Sequence, residues 1–508
     1  MKQKTLSNEV RRKNRQWTTW VAALSAAIMT LDITVVNIAL PQMGVDLHAD
    51  LAHLQWVING YTLSFAALLL LAGAVSDRFG RRSIFLCGNG IFVLASLACA
   101  LAPTVDLLIV ARVIQGVGGA MVLGTALALI ASACEDEAPP VQASAVGLFA
   151  AGGAVSAATG PLIGGLFIQW ASWPWLFVVN IPIGLLIILL TLRHVSEKKP
   201  EKPAFPLDIL GATLATVSLF SLNYGVLNLT THSQEARYAL AVGVVTALLF
   251  FRAEKRRGDR ALLNLKLFAL PAFVGAILLS FAGRIFSFGL LPFITLWLSG
   301  MLHYSAWDIG LILLAQSLTM VIAAGASGPL ARVIPVRILL AAGMFIVATG
   351  LMISSRVQSD SSWLVLMPML LLLGAGAGLT LPHLMNLAVS VVPASQAGTA
   401  SGTANTFFPL GTAVGIAFFG LLLNHMIQQA LPLSLLANAG IDRPEDVLSA
   451  VSSAQFDKLN QVPELLLAAR QAWGDALNTL FRVAAVASIL SGVAALWLIR
   501  SERPQSPV

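Results

Sequence analysis

Charge is the scarcest thing in this 508-residue sequence. Asp, Glu, Lys and Arg together make up 11% of it, against roughly 25% in an ordinary soluble domain. A chain so poor in charge cannot turn its whole surface to water. That excludes a soluble enzyme of two or three domains, a disordered chain and a fibre. Cysteine is nearly absent too. Cys87, Cys99 and Cys134 are an odd count without CxxC spacing, so they support neither a disulfide framework nor a metal site. They read as small apolar packing residues. There is no HExxH, no GxSxG and no Walker A lysine, so the catalytic templates are missing and the chain is not read as an enzyme. Regular ten-residue alternation is also missing, which argues against an outer-membrane barrel.

What the chain has is apolar length. It is 57% hydrophobic with 41 glycines and a mean hydropathy of +0.82. Glycine at this level suits helices that pack closely in lipid. About 20 apolar residues make one span. That ruler gives fourteen stretches, at 17–40, 53–72, 83–102, 107–130, 141–167, 174–193, 206–229, 237–253, 270–298, 306–330, 336–355, 362–388, 402–425 and 477–499. The first is too long for a signal-peptide core and is read as a retained span. An even number of spans puts both termini on one side. With the N-terminus inside, most of the 31 Lys and Arg fall in inner segments, such as Lys2–Arg15, Arg78–Arg82 and Arg252–Lys266. This asymmetry predicts cytoplasmic termini. It also explains the net charge of +7 without a nucleic-acid partner. Lys198–Pro206 reads as a charged, Pro-rich linker, and 425–476 as one long outer loop with helix-like stretches and no assigned chemistry.

Asp32 is the only carboxylate well inside any span. A lone ionised carboxylate in hydrocarbon is expensive, so it must pair, face a cavity or bind a proton. Arg112, in Arg112-Val113-Ile114-Gln115-Gly116, lies at matching depth on the fourth span. The two are expected to share one cavity, where Arg112 tunes Asp32 or trades it for substrate. The plainer reading of Arg112 is a fixed cation bonded to backbone carbonyls. Arg284 lies near the middle of the ninth span with no acid in the same helix, which makes it a substrate-binding candidate. Trp56, Tyr61, Phe65, Phe286 and Phe288 are aromatic candidates for an apolar pocket, with an interfacial or lipid contact as the plainer reading of each. His383 reads as structural.

Three glycine-containing motifs remain. Gly73, Asp77, Arg78, Gly80 and Arg81 sit in the short loop between spans two and three. The glycines permit a tight turn and Asp77 can cap a helix or pair with Arg. The cluster suits a latch between helix groups. On the fifth span, Gly152-Ser156-Gly160-Gly164 and Gly153-Ala157-Pro161-Gly165 are two i,i+4 ladders of small residues. They leave a wide face nearly without side chains, where another helix can approach and seal a cavity. Gly374–Gly378 lies within an apolar span, so it is helix packing and not a nucleotide loop.

Together these motifs resemble the major facilitator superfamily, and within it the fourteen-helix drug:proton antiporter family, over nearly the whole chain. Gly73–Arg82 is similar to the family's loop 2–3 motif and Arg112–Gly119 to its fourth-helix motif. Gly152–Gly165 looks like its antiporter motif, and Leu31–Pro41 like the first-helix motif of the fourteen-helix branch. Trp173–Gly184 fits that branch through Phe177, Asn180, Pro182 and Gly184. The resemblance implies an all-α integral membrane protein of two six-helix bundles plus two extra central helices. Its expected division is a basic N-terminus at 1–16, a bundle at 17–193, a linker with the extra helices at 194–263, a second bundle at 264–500 and a tail at 501–508.

The resemblance further implies alternating access and efflux of an amphiphilic small molecule across a bacterial inner membrane. Proton motive force is the drive, Asp32 is the carrier and there is no cofactor or metal. The expected partners are substrate, proton and lipid around a monomer, with a periplasmic adaptor as a candidate. The chain departs from the family at Pro174, at Phe408-Pro409 and at Ala331, where Arg, Arg-Gln and Asp are usual, and no acid lies in span thirteen. With one deep acid and two deep cations, multivalent cations are poorly matched as cargo. The alternatives are a dedicated exporter of one metabolite or antibiotic, and a non-transporting membrane sensor.

Overall fold

A computed structural model describes residues 2–134, 139–196, 207–229, 233–258, 261–358, 361–392, 397–431, 444–459 and 463–499. The described residues are all-helical, and fourteen helices or broken helices are long and apolar enough to cross a membrane. The linker at Lys198–Pro206 and the tail at 501–508 lie outside the described residues.

The first bundle holds α1 (Lys2–Asp46), α2 (Leu51–Phe79), α3 (Arg81–Ala100), α4 (Val105–Ala133), α5 (Pro139–Trp170), and a span broken into α6 (Trp175–Val178) and α7 (Asn180–His194). Here α1 packs on α5, and α4 on α2 and α3. Hydroxyls in these spans donate to the carbonyl four residues back, as Ser25 does to Val21 and Thr34 to Thr30. Such bonds satisfy polar side chains where no water is available. The side chain of Asp50 accepts the His53 N–H at 2.8 Å and caps α2. Burial pushes the Asp50 carboxyl up, but its bonds from the His53 ring and backbone outweigh that and hold it below the usual carboxylate range.

The two extra helices are α8 (Ile209–Leu227) and α9 (Ser233–Arg257). The second bundle follows: α10 (Pro271–Phe288), α11 (Leu291–Gly300), α12 (Ala306–Ala331), α13 (Val336–Ser354), α14 (Met367–Ser390), α15 (Ala397–Ala430), the short α16 (Pro444–Ser452) and α17 (Pro463–Leu498). One expected span, 270–298, is two helices. Pro292 lacks an N–H and its ring opposes the carbonyl four residues back, so the helix breaks between α10 and α11. The outer loop expected at 425–476 is largely helical where described: α15 runs on to Ala430, and the last helix starts at Pro463 rather than near 477.

Among the described residues the bundles are joined mainly by α5 with α12, α2 with α15, and α1 with α11, with a smaller contact of α1 on α12. The extra helix α8 packs on both α2 and α15, and α9 packs on α8. With an even number of spans, both termini lie on one face. At the opposite face α5 and α12 touch. A methyl on Gly165 would lie 2.5 Å from the Ala306 carbonyl oxygen, and one on Gly310 2.5 Å from that of Pro161. Toward the termini the same helices part: methyls on Gly147 of α5 and on Gly325 and Gly328 of α12 would meet nothing within 4 Å. The molecule is therefore closed at the face opposite the termini, and its α5–α12 seam opens toward the face that carries them.

Candidate functional site

Asp32 and Arg112 come together inside the first bundle, each 1% exposed. Arg112 Nη1 donates to Asp32 Oδ2 at 2.5 Å, and Arg112 Nε donates to the Val57 carbonyl at 3.0 Å. The other carboxylate oxygen, Oδ1, accepts from Gln115 Nε2 at 3.0 Å and Asn180 Nδ2 at 2.8 Å. Gln115 is fixed in turn: its oxygen accepts from Arg112 at 2.6 Å and its amide donates to Ser96 at 2.9 Å. The Arg112 guanidinium carbon also lies 4.4 Å from the centre of the Tyr61 ring, a cation–π contact. An ion pair this deeply desolvated is sustained by such extra bonds. Four helices and the backbone of a fifth converge on it.

The shared open cavity expected for Asp32 and Arg112 is not where they sit. A narrow central cavity of about 30 Å³, room for a water or two, lies between the bundles, and other residues line it. Thr34, Asn37 and Pro161 come from the first bundle, and Phe288, Gln316 and Ser317 from the second. Residues 32 and 34 are about 200° apart around a helix, and 32 and 37 about 140°. One face of α1 therefore holds Asp32 inside the bundle while the other presents Thr34 and Asn37 to the cavity. Asn37 Oδ1 is buried without a partner. A second, wider vestibule of about 510 Å³ opens at the face opposite the termini, between Gln42, Asp46, His303 and Gln455.

Of the aromatic candidates, Phe288 lines the central cavity, while Trp56 and Tyr61 lie elsewhere. Trp56 stacks on Phe220 of α8, centroids 6.0 Å apart, so it holds the extra helices rather than lining the cavity. Tyr61 is fully buried against Phe65 and Arg112. Its ring is an apolar floor for the ion pair. Arg284 lies one turn before Phe288, and its guanidinium carbon is 4.4 Å from that ring and 5.1 Å from Phe408. Its Nε is buried and unpartnered, and among the described residues no carboxylate pairs with it. His383 faces the Ser327 carbonyl at 3.2 Å.

The loop motif is a tie within the first bundle in this state. Arg81 pairs with Asp77 at 2.9 Å and donates to the Ala128 carbonyl of α4 at 3.0 Å. Arg78 lies over the neighbouring Phe79 ring. Gly80 joins α2 to α3 with φ 102°, where L side chains are strained. Gly80→Ala is expected to cost about 1–3 kcal/mol and lower the thermal midpoint of the purified protein. Gly73→Ala is expected to be near neutral, since its methyl meets only the Gly124 carbonyl at 3.7 Å.

On α5 the two ladders have two partners. Gly152, Gly160 and Gly164 lie against Ala23, Thr34 and Val35 of α1; in the second ladder Gly153 also faces α1, at Thr30, while Pro161 and Gly165 lie against α12. Ser156 completes the first ladder. Gln115 and Asn180, which hold Asp32, and Ser96, which holds Gln115, carried no assigned role in the sequence, although the first two stand within the motifs quoted above. Their signal was polarity inside apolar spans at comparable depth. Asn37, Gln316 and Ser317 of the cavity left the same faint trace.

Two bundles meeting over a small cavity, with ionisable groups buried in the spans, are the architecture of secondary transporters. The chain belongs to the Major Facilitator Superfamily, whose family model matches residues 22–416. That is a family of transporters, not enzymes. The "Cephamycin export protein CmcT" of Amycolatopsis lactamdurans is 35% identical over 78% of this chain and 82% of that protein. The "Tetracenomycin C resistance and export protein" of Streptomyces glaucescens is 30% identical over 83% and 78%. The "Putative multidrug resistance protein MdtD" of Salmonella typhi is 30% identical over 82% and 88%. A bacterial homologue of the human lysosomal transporter Spinster, solved inward-facing and occupied, shares the fold with a TM-score of 0.66 at 15% identity, over 96% of this chain and 97% of that one. The chain is therefore a multi-pass membrane protein of a transporter family, and these relatives are named for drug or antibiotic export and resistance.

Proposed function

We propose that the chain exports amphiphilic compounds across a bacterial inner membrane in exchange for protons, as a monomer with both termini in the cytoplasm. The observation that carries this reading is the Asp32–Arg112 pair on the far side of the helix that lines the cavity. Substrate presses on Thr34 and Asn37, and the proton arrives at Asp32, on opposite faces of α1. A roll or tilt of α1 moves both. In the closed-outside state described here Asp32 is paired with Arg112. When the opposite face opens, a proton on Asp32 breaks that pair and frees α1 to release cargo. The bundles then rock back, and Arg112 helps expel the proton inward. A membrane potential adds about 2.3 kcal/mol per charge per 100 mV, so the cargo's charge sets part of the driving force.

The test is drug-triggered proton release from energised inside-out vesicles, followed as lumenal pH. A panel of cationic, neutral and anionic compounds also probes Arg284. Its unpaired guanidinium beside the cavity aromatic Phe288 disfavours multivalent cations and suits neutral, monocationic, zwitterionic or anionic amphiphiles. Arg284→Ala is expected to lose preference against multivalent cations. A variant whose charge profile equals that of wild type removes the role. A second reading, an exporter dedicated to one antibiotic, is favoured by the cephamycin and tetracenomycin C relatives. A response confined to one compound of the panel supports it.

A further inference from the structure

The extra helices carry a buried pair of acids, far in sequence from Asp32. Asp208 caps the start of α8 and is 4% exposed; Glu254, in the last turn of α9, is 1% exposed. Asp208 Oδ1 accepts the Gly211 N–H at 2.7 Å and an ion-pair bond from Arg257. Asp208 Oδ2 accepts the Leu262 N–H at 3.4 Å, and Glu254 Oε2 the Leu263 N–H at 2.6 Å. Three carboxylate oxygens therefore have donors. The fourth, Glu254 Oε1, is buried and has none among the described residues. It is turned toward Asp208: a methyl on Gly211 would strike both Glu254 Oε1 and Asp208 Oδ2, so the two carboxyl groups face one another beside that glycine.

Two buried acceptor oxygens that face one another repel unless a hydrogen lies between them. Arg257 is ion-paired with Asp208. Among the described residues one guanidinium thus balances one carboxylate, which leaves Glu254 to be neutralised. We propose that Asp208 and Glu254 are a proton-binding site, separate from the Asp32 pair, in which one shared proton ties the extra helices to the chain entering the second bundle. A proton from water adds to Glu254 Oε1 and bonds to Asp208 Oδ2; it leaves to water when the site empties. The tie is geometric: the same two carboxyl groups hold the backbone of Leu262 and Leu263, just ahead of α10. None of these residues lines either cavity, so the site is not a stage of the cargo route. Filled, it fastens α9 to α8 and both to the segment before α10. Emptied, it puts two adjacent carboxylates in a buried space with one guanidinium, and the fastening loosens.

The test is the thermal midpoint of the full chain in lipid nanodiscs, from mildly acidic to alkaline pH. Wild type is expected to lose midpoint as pH rises and the shared proton leaves. Glu254→Gln carries a permanent N–H at the site, so the difference from wild type should vanish in acid and grow in its favour in alkali. Asp208→Asn, which can donate to Glu254 from the other side, is expected to flatten the profile likewise. A Glu254→Gln midpoint displaced equally at every pH overturns the proposal, because that is the mark of a packing role alone. So does alkaline loosening in wild type that sodium reverses and choline does not, since the ligand would then be a metal cation. Failure of Asp32-dependent transport would leave these profiles unchanged, so the two readings fail separately.

Discussion

Asp32→Asn is expected to abolish drug-triggered proton release from inside-out vesicles, and to weaken folding as well. Both losses follow from the same bonds. The carboxylate accepts from Arg112, Gln115 and Asn180 at 2.5–3.0 Å, and it is the one charge among the described residues that pairs with Arg112, both side chains being buried. Removing one partner of a buried pair leaves the other charge uncompensated, at a cost of about 3–5 kcal/mol. Lost transport by the single variant therefore has two explanations, and a second variant separates them. In Asp32→Asn/Arg112→Met both charges are gone and the volume is roughly kept. Replacing a whole buried pair by apolar groups is often neutral or stabilising, so the double variant should recover its thermal midpoint. It should still release no protons, because no group remains to carry one. Proton release by the folded double variant would remove Asp32 from the mechanism. A small residual facilitated leak of substrate, without proton movement, would fit a cavity that still alternates.

How far the sequence foretold this site depends on what each residue had to reveal. Hydropathy shows the bilayer's requirement for apolar length, so fourteen spans were legible. Asp32 was legible because carboxylates are costly in lipid and there was only one deep in a span. Its depth match with Arg112 followed from helix rise alone. The direction in which a side chain points did not. Trp56 looked like a pocket aromatic, yet Phe220 and Tyr224 of an extra helix, more than 160 positions away, take its ring. Tyr61 was read as cavity lining because the sequence gives no sign that Gly116 and Gly119 let α4 close over it; a methyl on Gly119 would lie 2.8 Å from the Tyr61 hydroxyl. Asp208 and Glu254 escaped notice for another reason. Each stands at a helix end, where acids are ordinary solvated residues, and it is the packing of α8 on α9 and the return of the chain at Leu262 and Leu263 that give them partners. Long-range closure is the part that no local pattern of spacing encodes.

The small-residue ladder of α5 supplies the other large effect. Gly165→Leu is expected to hold the transporter open at the face that is closed here. The added Cβ would lie 2.5 Å from the Ala306 carbonyl oxygen and 3.0 Å from Trp307 Cα. Both are backbone atoms at the start of α12, where Ser305 and Asp308 form a reciprocal cap, so neither yields cheaply. Overpacking of this kind costs about 1–3 kcal/mol. The clash exists only while α5 and α12 touch, so the cost falls on one state and not on the other. A differential of that size moves a two-state equilibrium by about 5- to 150-fold. The readout is Thr34, which is 4% exposed and lines the central cavity. A Thr34→Cys reporter in intact cells should react slowly with a membrane-impermeant maleimide, and many-fold faster when Gly165→Leu is added. Transport should fall in the same cells, because a carrier held in one state cannot complete its cycle. Gly147→Leu is the control on the same helix: its methyl position meets nothing within 4 Å, so labelling and transport should both stay near wild type. If Gly165→Leu loses transport while Thr34→Cys stays protected, the close α5–α12 contact is packing without a gate. If protection falls in both variants, general loosening of α5 is the cause, and the seam at Gly165 and Gly310 is not what closes the opposite face.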